Sequence, residues 1–448
     1  MKTYQDYLRI RDTEADKAKF VLSVIEDHKT SKAYKVAEVA NDYARNLNTT
    51  TMTYQKWLTD LDGHKYVDQL ATVHRSCSNF FDIIITQLNQ YLLGNGVSWD
   101  VENVEAAVGA DFDNRLQEAG EEALTGGVSY GFYDLRRVRV FTVLEFAPLK
   151  DEESGAMAAG VRFWRIDHDK PLRATFYEMD GFTEYLWKKK DTPDPDKWTR
   201  ITDDVYYIPK RPYIIGTATS VADGEVVVNG RNYDAFPIVP LYANKFQQSE
   251  IVGLRSKIDA YDFILNGWED DLDNAQLYWI IKSAGGMEDP DLMRFLDRLK
   301  TVKAAAPMPG QEVTPYTVEI PVEAREKLLD RLEKQIYRDA MIMNPDDIAS
   351  GAATATQIKA AYEPQNVKAD RFEYQVIEFI NGILRIAGIT AKPTFTRSVV
   401  VNSQEEVQTV VLAAPYLGEE YCTKKILDIL GDGDQAEEVL KAITADGF

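Results

Sequence analysis

In residues 321–343, Leu328, Leu329, Leu332, Ile336 and Ala340 recur at helical spacing and draw one narrow apolar stripe down a charged surface. Pro321 suits the first turn of such a helix, where its missing N–H would be unpaired anyway. Glu323/Lys327 and Asp330/Lys334 add the supportive i, i+4 pairing. The pattern stops at Asn344-Pro345-Asp346-Asp347: proline breaks the hydrogen-bond ladder, and Asn and Asp bond their own backbone. Small, neutral residues follow, and Thr354 or Thr356 can cap a second helix. That helix carries Phe372, Val376, Ile377, Phe379, Ile380, Ile383, Leu384 and Ile386, a face broad enough to require burial, and Pro364 predicts a kink in it. On its own, the uncharged loop between these two helices reads as an ordinary helical hairpin connection.

Elsewhere the period is less even. Residues 1–60 are polar and helical in tone with no strong repeat, which predicts an arm or a loosely packed outer segment. Residues 66–93 read as an amphipathic helix closed at Gly94, and 104–123 as another. From Val128 the period changes to strands, at 138–144, 161–166, 174–186, 206–215 and 225–228, punctuated by Pro193, Pro195, Pro209 and Pro212. Helix returns at 250–280, and over 251–280 two bases stand against six acids: Asp259, Asp262, Glu269, Asp270, Asp271 and Asp273. A compact stretch, 282–320, then offers a short helix at 291–300, a Pro/Gly turn and a strand at 316–320. After Gly388 a segment at 395–401 leads to helices at 403–413, 419–430 and 434–444. Antiparallel strands inserted among long helices make the class α+β.

Composition narrows the function. A chain of 448 residues exceeds one core, so several subdomains are expected, and 45% hydrophobic content is ample for burial. The formal net charge of −21 argues against a protein that grips phosphates, though not against one that lets DNA slide past. Cys77 and Cys422, far apart in sequence, suggest free thiols in a reducing compartment. The charged N-terminus shows no signal peptide, and no apolar run approaches a membrane span, so a soluble intracellular protein is expected.

Local signals for chemistry are weak. Gly127-Val128-Ser129-Tyr130-Gly131 matches G-x-S-x-G, but a nucleophile elbow needs a strand before the serine and a helix after it, and here the order is reversed. A glycine-rich turn is the better reading. Asp167-His168-Asp169 cannot converge on one metal from a strand, whose side chains alternate faces, and reads as a surface turn before Pro171. Asp270, Asp271 and Asp273 lack the glycine and closing glutamate of a calcium loop. No catalytic, cofactor or metal residue is assigned, and no enzyme is expected.

The order of segments, more than any one motif, resembles a known family. From about Ser78 to the C-terminus the chain is similar to the portal proteins of tailed bacteriophages, the type with a clip between stem helices. Phe80–Gly94 with Tyr91-Leu92-Leu93-Gly94, and 122–132 with Gly126-Gly127-Val128-Ser129-Tyr130-Gly131, resemble the early helix and the opening of the wing strands. Phe236-Pro237-Ile238-Val239-Pro240-Leu241-Tyr242-Ala243-Asn244, followed by Ile258-Asp259-Ala260-Tyr261, resembles the family's strand and stem-helix signatures. Pro345-Asp346 and Ser350-Gly351-Ala352 sit where portals have their Pro-Asp and Ser-Gly-x-Ala signatures; residues 1–75 do not match the family well.

The resemblance implies a dodecameric ring at a capsid vertex. Through it a motor drives double-stranded DNA, without sequence specificity, and the DNA later leaves to the tail. It implies this division: 1–250 helical arm and α+β wing, 251–281 first stem helix, 282–320 clip, 321–343 second stem helix, 344–354 tunnel loop, 355–389 long kinked helix, 390–448 helical crown. The DNA-facing loop would comprise Asn344, Asp346, Asp347, Ile348, Ala349, Ser350, Gly351, Ala352, Ala353 and Thr354. Asp259, Asp262, Glu269, Asp270 and Asp273 are stem candidates for the channel lining, where acids would repel phosphates; plain solvation is the other reading of that face. Asp291, Arg294, Arg298 and Lys300 are clip candidates for contact with terminase large subunit and head-completion or adaptor protein. Major capsid and scaffolding proteins are further implied partners; assembly would be in the bacterial cytoplasm and the final location the virion. A ring-forming head-tail or tail adaptor without a packaging role is the alternative.

Overall fold

The computed structural model describes every residue except 1, 11, 60–62, 69–70, 72, 189–194, 223–224, 275–278, 283–311, 316–320, 345–354, 399–402, 431–439 and 441–448. The chain divides into two compact units. One comprises Met1–Arg45, Phe81–Leu254 and Tyr337–Phe448; the other comprises Asn46–Phe80 and Arg255–Ile336.

The first unit is built on an antiparallel sheet of six strands in the spatial order Thr199–Arg200, Val205–Arg211, Gly181–Trp187, Leu172–Glu178, Met157–Trp164, Phe146–Lys150. Inward positions alternate along each strand, and Ala147, Leu149, Val161, Phe163, Ala174, Phe176 and Tyr185 are buried together. Helix Glu14–Thr30 lays Ala18, Phe20, Val21, Val24 and Ile25 on that face. This corrects the expectation of a loosely packed N-terminal segment. The Phe20-Val21, Val24-Ile25 doublets form a helical stripe, and removing each such side chain from water is worth about 1.5–3 kcal/mol. Thr13 caps the helix by accepting from the Asp16 N–H.

A second sheet runs Ile238–Tyr242, Val128–Tyr133, Val138–Thr142. Helix Phe112–Gly126 packs on all three strands, with helix Lys32–Ala44 beside it. The turn between helix and strand falls on Gly127, at φ +90, where a Cβ would lie 2.8 Å from the Ser249 nitrogen. The Ser129 hydroxyl is fully buried and donates to the Ala119 carbonyl, so it is tied to the preceding helix. The sequence motif is therefore a glycine turn, as its order of elements indicated. Asp167-His168-Asp169 is likewise an exposed turn.

Ala355–Ala387 is one helix of 33 residues with Pro364 inside it. Its broad face (Phe372, Val376, Phe379, Ile380, Ile383, Leu384) is buried, and it packs on strands Ile238–Tyr242 and Val128–Tyr133. Gly131 and Gly382 let it approach: a Cβ at Gly131 would come within 2.5 Å of the Phe379 ring.

Several sequence boundaries move. The helix expected over 66–93 is confined to Phe80–Leu93, because residues 73–79 are extended. The one expected over 104–123 is split into Glu105–Val108 and Phe112–Gly126 by Gly109 at φ +104. The stretch 174–186 is a hairpin turning at Gly181. The 250–280 helix ends at Asn274, and Trp279–Lys282 pairs as a strand with Glu312–Pro315. Near the C-terminus Pro393–Phe395 pairs with Val97–Trp99, and helices Ser403–Leu417 and Glu419–Leu430 follow. The strand expected at 316–320 and most of the helix expected at 434–444 lie outside the described residues. Cys77 and Cys422 are both free thiols.

Candidate functional site

The second unit is organised around the acidic helix, Ile251–Asn274, from Arg255 onward. Its polar residues recur at Asp262, Asn266 and Asp270, four apart, which stacks them along one ridge. The extended segment 73–79 lies along this ridge and is held by alternate backbone N–H groups. His74 N–H donates to Asp270 Oδ1 at 2.9 Å, Ser76 N–H to Asn266 Oδ1 at 2.6 Å, and Ser78 N–H to Asp262 Oδ1 at 3.0 Å. The two repeats match: two residues of extended chain advance about 6.6 Å, and four residues of helix about 6 Å. The central side chain is an amide because it meets both halves of a peptide, and Asn266 Nδ2 also donates to the Ser76 carbonyl at 2.9 Å. Helix and strap thus satisfy backbone groups that no sheet or helix partner takes.

Further contacts fasten the ridge. Asp262 Oδ2 accepts from Asn48 Nδ2 at 2.5 Å and from the Thr51 hydroxyl at 3.1 Å. Asp270 accepts from the His74 ring Nδ1–H at 2.7 Å and pairs with Lys56 at 2.8 Å. Glu269 receives the Ser76 hydroxyl at 3.0 Å, and Asp259 receives the Thr50 hydroxyl at 3.0 Å. Burial pushes the Asp262 carboxyl above its ordinary pKa even against its donors from Ser78, Asn48 and Thr51. Burial works to raise Asp270 as well, but Lys56, the His74 N–H and the His74 ring outweigh it and hold it low.

These positions revise the acidic face. Asp262 and Asp270 are 0% and 2% exposed, so neither presents its side chain to bulk water; both are acceptors for this chain's own strap. Asp259 and Glu269 are half-buried, and the Asp273 side chain lies outside the described residues. Lys56, His74, Ser76, Ser78, Asn48 and Thr51 did not figure among the candidate residues. The signal that could have found their site is the Asp262-Asn266-Asp270 spacing, a polar ridge with an amide at its centre.

The approach to the 344–354 loop belongs to the first unit. Helix Val322–Ala340 ends at Met341, which takes the left-handed φ of +55. Lys368 then bonds the Ala340 carbonyl at 2.7 Å and pairs with Glu250 at 2.7 Å, both partners being largely buried. Gln365 accepts the Met343 N–H at 3.1 Å. Asn344 is 6% exposed. Residues 345–354, with the rest of the candidate loop, lie outside the described residues, as do Asp291, Arg294, Arg298 and Lys300. Among the described residues there is no cluster of His, Cys, Asp and Glu fit to hold a metal, and no helix is long and apolar enough to cross a membrane.

Comparison with known proteins bears on this arrangement. Residues 24–446 match the family described as phage portal protein, SPP1 Gp6-like. The chain belongs to that family. Two relatives are named portal protein. That of Clostridium phage phiCD119 is 22% identical over 360 residues, 74% of this chain and 77% of the relative. That of Bacillus phage SPP1 is 22% identical over 393 residues, 79% of this chain and 72% of the relative. Among solved structures, a chain from the virion of a native gene transfer agent particle overlays at a TM-score of 0.43 with 12% identity, covering 78% of this chain and 89% of that one. An HK97 family phage portal protein from Corynebacterium diphtheriae overlays at 0.35 with 11% identity, covering 73% and 96%. The protein is a phage portal protein of α+β fold, and the match begins within helix Glu14–Thr30, before the strap.

Proposed function

We propose that this portal protein closes into a ring at a capsid vertex, the passage for double-stranded DNA during packaging and on exit to the tail. The observation that carries the reading is the portal family match across residues 24–446. The role is structural and needs no catalysis of the chain's own: work is supplied by a terminase large subunit. The clip candidates Asp291, Arg294, Arg298 and Lys300 are proposed contacts for that motor and for a head-completion protein. Major capsid and scaffolding proteins are further proposed partners.

The loop 344–354 is proposed to face DNA, and the pinning of its approach by Gln365 and Lys368 supports this: a constriction on a moving polymer needs firm ends. With Asp262 and Asp270 engaged in the strap, channel lining by the acidic helix falls to Asp259, Glu269 and Asp273. Such acids keep phosphates at a distance, which suits passage better than retention. The test is to abolish expression of the chain in its own phage and measure DNA per particle. Capsids without genome are expected; particles with full genomes that lack only tails would favour an adaptor instead.

A further inference from the structure

A cavity lies wholly within the first unit. It measures about 560 Å³, within the range of sites that take a compact ligand or an inserted side chain. Val128, Tyr130, Val143, Met157, Phe236 and Ile238 give it apolar walls. Its charged lining residues are Lys150 and Arg385, with His28 beside them and no Asp or Glu. That is unexpected in a chain of 72 acids and 51 bases. Lys150 and Arg385 are exposed, and neither has an ion-pair partner among the described residues.

His28 closes part of the cavity wall. The residue is 2% exposed, and its Nε2 lies 2.7 Å from the Val143 carbonyl, which fixes that nitrogen as the donor. Nδ1 is left as a buried acceptor with no hydrogen-bond partner among the described residues. Burial lowers the ring's pKa, so it is neutral near pH 7.

The backbone around the cavity restricts how an occupant binds. Phe146–Lys150 is an edge strand of the six-stranded sheet, and Ile238–Tyr242 an edge strand of the three-stranded one. Each carries a proline on the lining, Pro148 and Pro240, and proline cannot donate to an added strand. One missing donor on each edge weakens continuation of either sheet, which favours recognition through side chains and isolated polar groups.

We propose that this cavity binds an acidic peptide segment of a partner protein. One large apolar side chain fills it, and flanking carboxylates meet Lys150 and Arg385. The proposal goes beyond the DNA passage and does not depend on ring closure. Its probe is a blocked fluorescent peptide with a phenylalanine between aspartates, titrated into the full-length protein at low and high salt beside a lysine-flanked counterpart. The aspartate peptide should bind, and more weakly as salt rises. K150E/R385E should weaken it by about tenfold or more. Ala156→Trp, a change at an exposed turn on the lining, should abolish binding while leaving thermal unfolding unchanged. Failure to bind, equal binding of the lysine peptide, or indifference to both variants would overturn the proposal. Competition by acetate alone at the same carboxylate concentration would also overturn it, showing a site for anions and not for a peptide.

Discussion

Asp262 shows how far one side chain can depart from its apparent role. Counted by sequence it is one of six acids on a helix; in the fold it is a buried hub that accepts from Ser78, Asn48 and Thr51. Asp262→Ala would leave those donors unsatisfied, at a cost of about 2–4 kcal/mol, read as a lower denaturant midpoint. A midpoint unchanged from the wild type would show that the network is slack. Glu122 gives a pH-dependent counterpart. Burial, then Glu121, Glu118 and Glu145, raise its carboxyl from the ordinary 4.5 to about 7, against Arg45. The folded state then holds this proton more tightly than the unfolded chain does. The group's stabilising effect is full at low pH and declines as pH rises from 4.5 through about 7. Thermal unfolding across that window should show the decline, and Glu122→Gln should flatten it; the same slope in both proteins would place its origin elsewhere.

At the scale of elements, legibility followed periodicity. The long helix Ala355–Ala387 was visible because its apolar residues repeat with the helical turn and are buried as a face. The strap was not, because Val73-His74-Arg75-Ser76-Cys77-Ser78 carries no apolar alternation and is held by another element's polar side chains. Helix Glu14–Thr30 fell between the two: its stripe is real, but the lysines and acids around it dilute the repeat. Among chemical signals, the order of elements around Ser129 was readable, whereas the pairing of Asp262 and Asp270 required knowing what lay against the helix. Two changes test these elements. Asn266→Leu removes both bonds to Ser76 and should raise amide hydrogen exchange at 74–78 by about tenfold, with helix 255–274 still protected; equal exchange would deny that the ridge holds the strap. Replacing Ala349, Ala352 and Ala353 with bulky or basic residues should leave assembly intact and reduce packaged DNA. Normal packaging would make that loop a connector only.

At the scale of the whole molecule, an acidic chain meets an acidic polymer. Net charge of −21 per chain supplies a field that DNA crosses without adhering, and repeated subunits deepen it. Passage of this kind requires a closed circle of head-to-tail contacts, since an open chain of the same contacts would give a filament. The most direct test is to purify the full-length protein, measure its mass in solution by single-particle light scattering, and image it in negative stain. One high-mass species, seen as a ring with an open centre, is expected. A stable monomer at micromolar concentration, or a closed assembly with no central opening, would contradict it.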